Sequence, residues 1–317
     1  MSIKEVSEVI NLIDDPSLNG AGAKKLLDSA GAKGCTITVD SVPYDDPDLP
    51  FKCDFVKVVI PGSNGKTHGG KQRTLGIIGR LGAQQAQPER TGMVSDADGS
   101  IVALALALKL LRMHEAGAIL QGDVIITTHV ATHVSIKEHK PVDFMGSPLS
   151  SAKMNDHEVD KTMDAILSVD TSKGNKIINH RGIAISATAK QGYILPVAPD
   201  LVSILENATG EPAFTFPVSL QDITPYENGF YHFNSIMQPH VATGAPVIGL
   251  ALTAKAAVPG SVTGASYPDA ILDAVRFGLE TAVQFTWGRA EFFDFAEFEK
   301  LQTQYGSLKQ FQTTGKK

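Results

Sequence analysis

Cysteine is nearly absent from this chain: Cys35 and Cys53 are the two among 317 residues. No C-x-x-C spacing joins them, so neither a zinc knuckle nor a disulfide framework is indicated, and two lone thiols fit a reducing compartment. Long apolar runs are lacking as well. None approaches the roughly 18 residues a membrane span needs. The acidic amphipathic opening MSIKEVSEVINLIDD has neither the basic start nor the apolar core of a signal peptide. Positive charge is in deficit, with 28 basic against 34 acidic residues and a formal net charge of −6. No Lys/Arg cluster is interleaved with aromatics, which argues against a nucleic-acid binder. The expectation is a cytoplasmic protein that engages neither nucleic acid nor membrane.

Several catalytic and nucleotide motifs are missing too. GSNGKT follows a strand, yet Ile60 stands where the first glycine of a P-loop belongs. Gly76, Gly79 and Gly82 do not make G-x-G-x-x-G, so no dinucleotide fingerprint is present. Ser147, Ser150 and Ser151 follow Gly146 without a G-x-S-x-G elbow, which leaves serine-hydrolase chemistry unsupported.

What is present is a large apolar fraction, 43%, with 20% charged residues, enough for a sizeable core. The most informative stretch is Ser95 to Leu111, SDADGSIVALALALKLL, followed by GDVIITTH at Gly122 to His129. Its apolar run spreads over nearly every helical side, the mark of a buried helix over 100–116, with Ser100 as N-cap and Gly117 as stop. Asp96 and Asp98 fall at the helix start, where the macrodipole favours negative charge. Either they only cap the helix, or they are metal or catalytic carboxylates at the carboxyl edge of an α/β sheet.

Helices are expected over 3–13, 21–30 and 199–209, and a last one from about Ser266, with Pro268 in its first turn and Gly288 at its end. Strands are expected over 36–42, 55–60, 74–79, 124–129, 165–170, 183–187, 214–218 and 247–252. The N-G between the second and third suggests that those two form a hairpin. Strands and helices alternate through most of the chain. That predicts a single α/β domain over 1–317, a three-layer sandwich with a mostly parallel central sheet. Residues 135–160, rich in turn formers, form a lid or small insertion in this reading.

The ordered set VINLIDDPSLNG, DADGSIVALALALKLL, GDVIITTH, AILSVDTS and GAPVIGLAL resembles the co-catalytic zinc aminopeptidase and carboxypeptidase superfamily. It also resembles a bacterial and archaeal family known only as a domain of unknown function. The first resemblance implies a zinc-exopeptidase-like fold and hydrolysis of an amide bond in a small or peptide-like substrate. Its metal-ligand positions carry over unevenly. The H-x-D motif falls on Arg80 and Gly82, the bridging aspartate on Asp96, the paired glutamates on Thr132 and His133, and a further aspartate on Asp170. The final histidine would fall in PGSVTGAS, which has none.

Two zinc ions need ligands that offset four positive charges, so the resemblance implies a reshaped centre, either metal-free or holding one divalent metal, zinc or manganese. In the single-metal form Asp96, His133 (or His129) and Asp170 are the ligands. Asp96 and Asp170 then serve as ligands or acid–base groups, His133 as ligand or base, and Arg80 as a clamp for a substrate carboxylate. The alternatives are that these histidines are hydrogen-bonded residues at a strand end, with the aspartates capping elements or pairing with Arg80. A non-catalytic protein that keeps the fold and binds a small molecule or partner is the other function class, and self-association into a homo-oligomer is left open. His232 and His240, among Tyr226, Tyr231, Asn228 and Asn234, form a second candidate group.

Overall fold

The computed structural model describes residues 2–81, 92–178, 180–219, 233–260 and 265–313. Seven α-helices are present among them: α1 (Ile3–Ile13), α2 (Gly20–Asp28), α3 (Asp98–Glu115), α4 (Ser151–Glu158), α5 (Pro199–Thr209), α6 (Pro268–Thr286) and α7 (Phe295–Tyr305). The strands are β1 (Thr36–Pro43), β2 (Lys52–Ile60), β3 (Leu75–Gly79), β4 (Val124–Val130), β5 (Ile136–Lys137), β6 (Phe144–Met145), β7 (Ala165–Thr171), β8 (Gly182–Ser186), β9 (Thr188–Lys190), β10 (Tyr193–Leu195), β11 (Thr215–Phe216) and β12 (Val247–Thr253).

Ten strands make one central sheet in the order β1-β2-β4-β3-β7-β12-β8-β11, with β9 and β10 attached beside β12. The central strands β4, β3, β7 and β12 are parallel, whereas β2 and β8 flank them antiparallel, so the sheet is mixed. Side chains alternate between its faces. Leu75, Ile77, Leu167, Val169 and Leu250 pack with α3 and α6 in the main core. Ile78, Ile125, Ile166 and Ala251 face the other way and pack with Ile236 and Met237. The result is an α/β fold with helices flanking a large sheet. No described helix is long and apolar enough to cross a membrane.

Helix α3 explains its own sequence. It is held between the sheet on one side and α1 and α6 on the other, so thirteen of its 18 residues are buried. Its start lies two residues earlier than expected, at Asp98, because Ser100 does not cap it. The Ser100 hydroxyl instead donates to the His129 carbonyl at 3.4 Å and receives the Thr128 hydroxyl at 3.0 Å, both buried. Two glycines bring this helix start against the strand ends. A Cβ on Gly79 would fall 2.4 Å from the Gly99 carbonyl oxygen, and one on Gly99 would fall 2.4 Å from the Arg80 oxygen.

The hairpin expected between residues 55–60 and 74–79 does not form. β2 pairs with β1 and β4, and β3 lies beyond β4, parallel to it. The intervening turn is organised by a distant side chain rather than by its own N-G. Asp123 accepts from the Gly62 amide at 2.9 Å and from the Thr67 amide and hydroxyl at 2.8 and 2.9 Å. The chain also does not end its helices at Gly288, which stops α6 with φ 70°; α7 follows, capped by Asp294. Segment 135–160 contributes the β5–β6 ladder and α4, the latter capped by the Ser150 hydroxyl.

Candidate functional site

The chain runs from β3 through α3 to β4 on one side, and from β4 through α4 to β7 on the other side of β3. The strand order therefore reverses at β3, and the crevice outside the carboxyl ends of such strands is where open α/β sheets place ligands. Arg80, the 131–134 loop, Asp170 to Lys173 and the start of α3 all gather at that edge.

Arg80 leaves the end of β3 toward α4. Its guanidinium pairs with the fully buried Glu158, and its second nitrogen donates to the Gln238 side chain at 2.7 Å. Glu158 also meets Nδ1 of His129 at 2.8 Å, while Nε2 of that ring meets the Leu81 carbonyl at 2.5 Å. Both ring nitrogens thus face oxygens, one of a carboxylate and one of a carbonyl. Burial pushes the Glu158 carboxyl up, but the Arg80 charge and the His129 hydrogen bond outweigh it and hold it below the ordinary carboxylate range. The guanidinium expected as a substrate clamp is engaged inside the protein.

A second buried ion pair lies across the edge. The Lys173 ammonium, just past β7, pairs with Asp98 at the first turn of α3 and donates to the Ala265 carbonyl at 2.8 Å. The Ser266 hydroxyl donates to the other Asp98 oxygen, and the ammonium stands 5.2 Å over the Tyr267 ring. Burial raises the Asp98 pKa, offset only in part by Lys173 and Ser266.

Asp96 and Asp170 are half-buried on the same edge. The Thr171 hydroxyl donates to the Ser95 carbonyl at 3.1 Å, tying the turn that carries Asp96 to the end of β7. Asp170 accepts from the Thr171 amide at 2.7 Å. Gly79 is opposite Val169, so the register, extended by one residue, sets Arg80 beside Asp170 on one face. Gly260 leaves room for Asp96, since a Cβ there would lie 3.2 Å from the Asp96 Cβ.

His133 is turned to the β1–β2 hairpin loop, where its ring stacks on Phe51 at 4.6 Å. Among the described residues no group of three or more His, Cys, Asp or Glu side chains could hold a metal ion, and Asp96, His133 and Asp170 are no exception. The donor chemistry gives the reason. Glu158 and Asp98 already carry side-chain cations, and His129 has both nitrogens engaged. The described residues therefore do not assemble a zinc or manganese centre. In the second candidate group, His240 stacks on Phe233 at 4.3 Å and its Nδ1 meets the Met237 carbonyl at 2.9 Å. His232, Tyr226, Tyr231 and Asn228 lie outside the described residues.

Sequence reasoning passed over Glu158, Lys173 and Gln238. Glu158 sits in a polar stretch read as irregular, and its partner Arg80 is 78 residues away. Lys173 offered a faint signal, a lysine two residues after the buried strand AILSVDT.

A family model described as "Protein of unknown function (DUF1177)" matches residues 50–315. No curated protein matches in sequence. Among solved structures the chain is similar to the bottromycin maturation enzyme BotP in complex with Mn, with 14% identity and a TM-score of 0.53 over 89% of this chain and 71% of that one. It is similar to the LapA aminopeptidase of Legionella pneumophila, with 8% identity and a TM-score of 0.52 over 90% and 71%. A glutaminyl cyclase from an Acidobacteriales bacterium gives 14% identity and a TM-score of 0.50 over 90% and 94%. At these identities the likeness carries the fold and nothing finer.

Proposed function

The chain belongs to the family described as Protein of unknown function (DUF1177), and from that premise we propose that it binds a small amide or peptide-like molecule, without a resident metal, at the carboxyl edge of its central sheet. One observation carries this reading: each fully buried carboxylate at the edge is already neutralised by a side-chain cation, Glu158 by Arg80 and Asp98 by Lys173. A divalent ion taken by Glu158 or Asp98 would have to displace one of those cations, which leaves an ammonium or guanidinium buried without a counter-charge. Asp96 and Asp170, the half-buried carboxylates, then contact the ligand, and an amide N–H or amino group is what a carboxylate accepts from. Arg80 acts from behind, held by Glu158 and Gln238, to set the charge around Asp170. The small, amide-bearing ligand class is supported by an aminopeptidase, a maturation enzyme and a glutaminyl cyclase sharing the fold.

The test has two parts. Protein purified without chelator should contain far less than one zinc or manganese per chain, and its melting temperature should not change with EDTA or added Mn²⁺. A dipeptide panel should give binding heats by calorimetry that Asp170→Asn abolishes. One tightly held metal per chain would overturn the metal-free reading; no binding across the panel would overturn the ligand class.

Hydrolysis is the second reading, and Asp96 and Asp170 favour it. Two half-buried carboxylates beside one strand end suit a general acid and a general base, and their tie through Ser95 and Thr171 holds the two segments together. Release of free amino acid from the bound dipeptides, lost in both Asp→Asn variants, would support it.

A further inference from the structure

The central sheet is blunted at one lateral end and open at the other. β11 closes the first end with two residues between Pro212 and Pro217, which have no N–H to donate. β1 forms the other end with eight residues, paired to β2 without a bulge from Thr36 to Pro43. It has no lysine, and its one proline is its last residue. Its one charge, Asp40, stands 3.1 Å from Nδ1 of His157. β-branched Thr36, Ile37, Thr38, Val39 and Val42 make up most of the strand. Soluble proteins blunt such a strand as a rule, because its free N–H and C=O groups template pairing with another chain.

The ladders show which groups are free. The Tyr44 amide donates to the Phe51 carbonyl at 3.2 Å, one step beyond the pair Pro43–Lys52. Opposed residues that exchange such bonds alternate along an antiparallel pair, so even-numbered residues of β1 turn their backbone groups toward β2. The neighbouring ladder agrees. Leu75 donates to the Asp123 carbonyl at 3.0 Å, which turns odd-numbered residues of β4 to β3 and even-numbered ones to β2. Ile37, Val39 and Ser41 therefore present N–H and C=O groups outward, and among the described residues none of these groups has a partner. Pro43 presents a carbonyl alone, and the Cys35 amide is spent on the Ala32 carbonyl at 3.4 Å.

That distribution of donors selects the strand that fits. We infer that β1 pairs antiparallel with β1 of a second copy of this chain, about a twofold axis at Val39, and so joins two sheets into one. In this register Val39 faces Val39 of the second copy and Ile37 faces Ser41, so every free N–H of these residues meets a free carbonyl. Pro43 falls opposite Cys35, the two positions with no amide to give, and pairing stops there. Thr38 falls opposite Asp40, where its hydroxyl donates to the carboxylate. An axis at Asp40 would set Asp40 against Asp40 and the Ile37 carbonyl against Pro43. One at Thr38 would set the Ser41 carbonyl against the spent Cys35 amide. The surface shares no residue with the carboxyl-edge crevice, and the inference stands whether or not a ligand binds there.

Sedimentation velocity on the full chain over a range of concentrations tests it, together with amide hydrogen exchange read residue by residue. The native chain should sediment as a dimer at high concentration and dissociate on dilution. The amides of Ile37, Val39 and Ser41 should gain protection as the dimer forms, while those of Thr36, Thr38 and Asp40 stay protected in both states. Thr38→Glu, at an exposed position, sets like charges opposite each other on both sides of the axis and should weaken the dimer roughly tenfold. Thr38→Lys sets opposite charges there and should tighten it. Ser41→Pro removes an outward donor and leaves the β2 ladder its bonds, so it should abolish the dimer. Ser41→Ala, which loses only the hydroxyl bonded to Asp54, should keep it. A chain that stays monomeric into the millimolar range, a dimer equally tight in Thr38→Glu and Thr38→Lys, or one whose three amides exchange freely would overturn the proposal. So would an unrelated β-strand peptide that protects those amides as well as a peptide of residues 36–43 does, because β1 would then accept strands in general.

Discussion

Lys173 and Asp98, 75 residues apart, form an ion pair in which both side chains are essentially excluded from solvent. The pair joins the carboxyl end of β7 to the first turn of α3, where the helix dipole adds to the pull on the carboxylate. It is the point at which a strand end and a helix start are clamped together beneath the crevice.

Lys173→Met should therefore destabilise the fold by about 3–5 kcal/mol, the cost of leaving one buried charge unpaired. The double variant Lys173→Met with Asp98→Asn should recover a large share of that loss. Urea denaturation of the two singles and the double gives the coupling directly. Additive losses would show that the two charges do not act as a pair.

Glu158→Gln should cost a similar amount, about 3–5 kcal/mol at neutral pH, because the buried Arg80 guanidinium loses its counter-charge. The pH dependence has a definite sign. The folded-state pKa of Glu158 lies below the ordinary 4.5, so its stabilisation is fully present above that value and is lost as the pH falls through the folded pKa. Urea midpoints across the acidic range should fall more steeply for the native chain than for Glu158→Gln. Parallel profiles would remove Glu158 as the group responsible.

Gly99→Ala places a methyl group 2.4 Å from the Arg80 carbonyl oxygen and 2.7 Å from that of Val169. Backbone on both sides cannot yield without moving α3, so a loss of about 1–3 kcal/mol or more is expected. Ligand binding at the edge should weaken too, since Asp96 travels with the helix start. Thermal melts read the first effect and calorimetry the second; a neutral substitution would mean that the close contact is dispensable.

Leucine- or glutamate-aminopeptidase activity should be absent with added zinc or cobalt. Thr132 and His133 occupy the positions that correspond to the paired glutamates, and loss of a positioned general base alone removes on the order of 10²–10⁴ in rate. Assays with chromogenic aminoacyl amides suffice. Robust metal-dependent turnover would show that the ligand positions have been misaligned.

Asp96→Ala and Asp170→Ala should each remove ligand binding at the edge and leave melting temperature nearly unchanged, because both side chains are half-buried at a loop or strand end. A collapse in stability would mark them as structural caps instead.

Much of the fold was legible in the chain itself. The bounds of α1 and α5, the burial of α3 on nearly every side, the stop at Gly117 and the runs that became β4, β7 and β12 follow from periodicity and from punctuating residues. These are local properties, set within a turn or two of backbone. The edge position of Asp96 and Asp170 followed as well, because both flank elements whose direction the α/β alternation fixes.

Tertiary structure alone decided the pairings. The N-G turn could not make β2 and β3 a hairpin, because β4 takes the place between them and Asp123 holds the turn from outside. Nor could the chain announce that Arg80 belongs to Glu158 and His129, that Lys173 belongs to Asp98, or that His133 leans on Phe51 instead of the carboxylates. An ion pair or a stacked ring depends on which strand ends the topology makes neighbours, and on what burial then forces those charges to find. Sequence spacing encodes the elements; which charge offsets which is settled only when the sheet order brings distant segments to one edge.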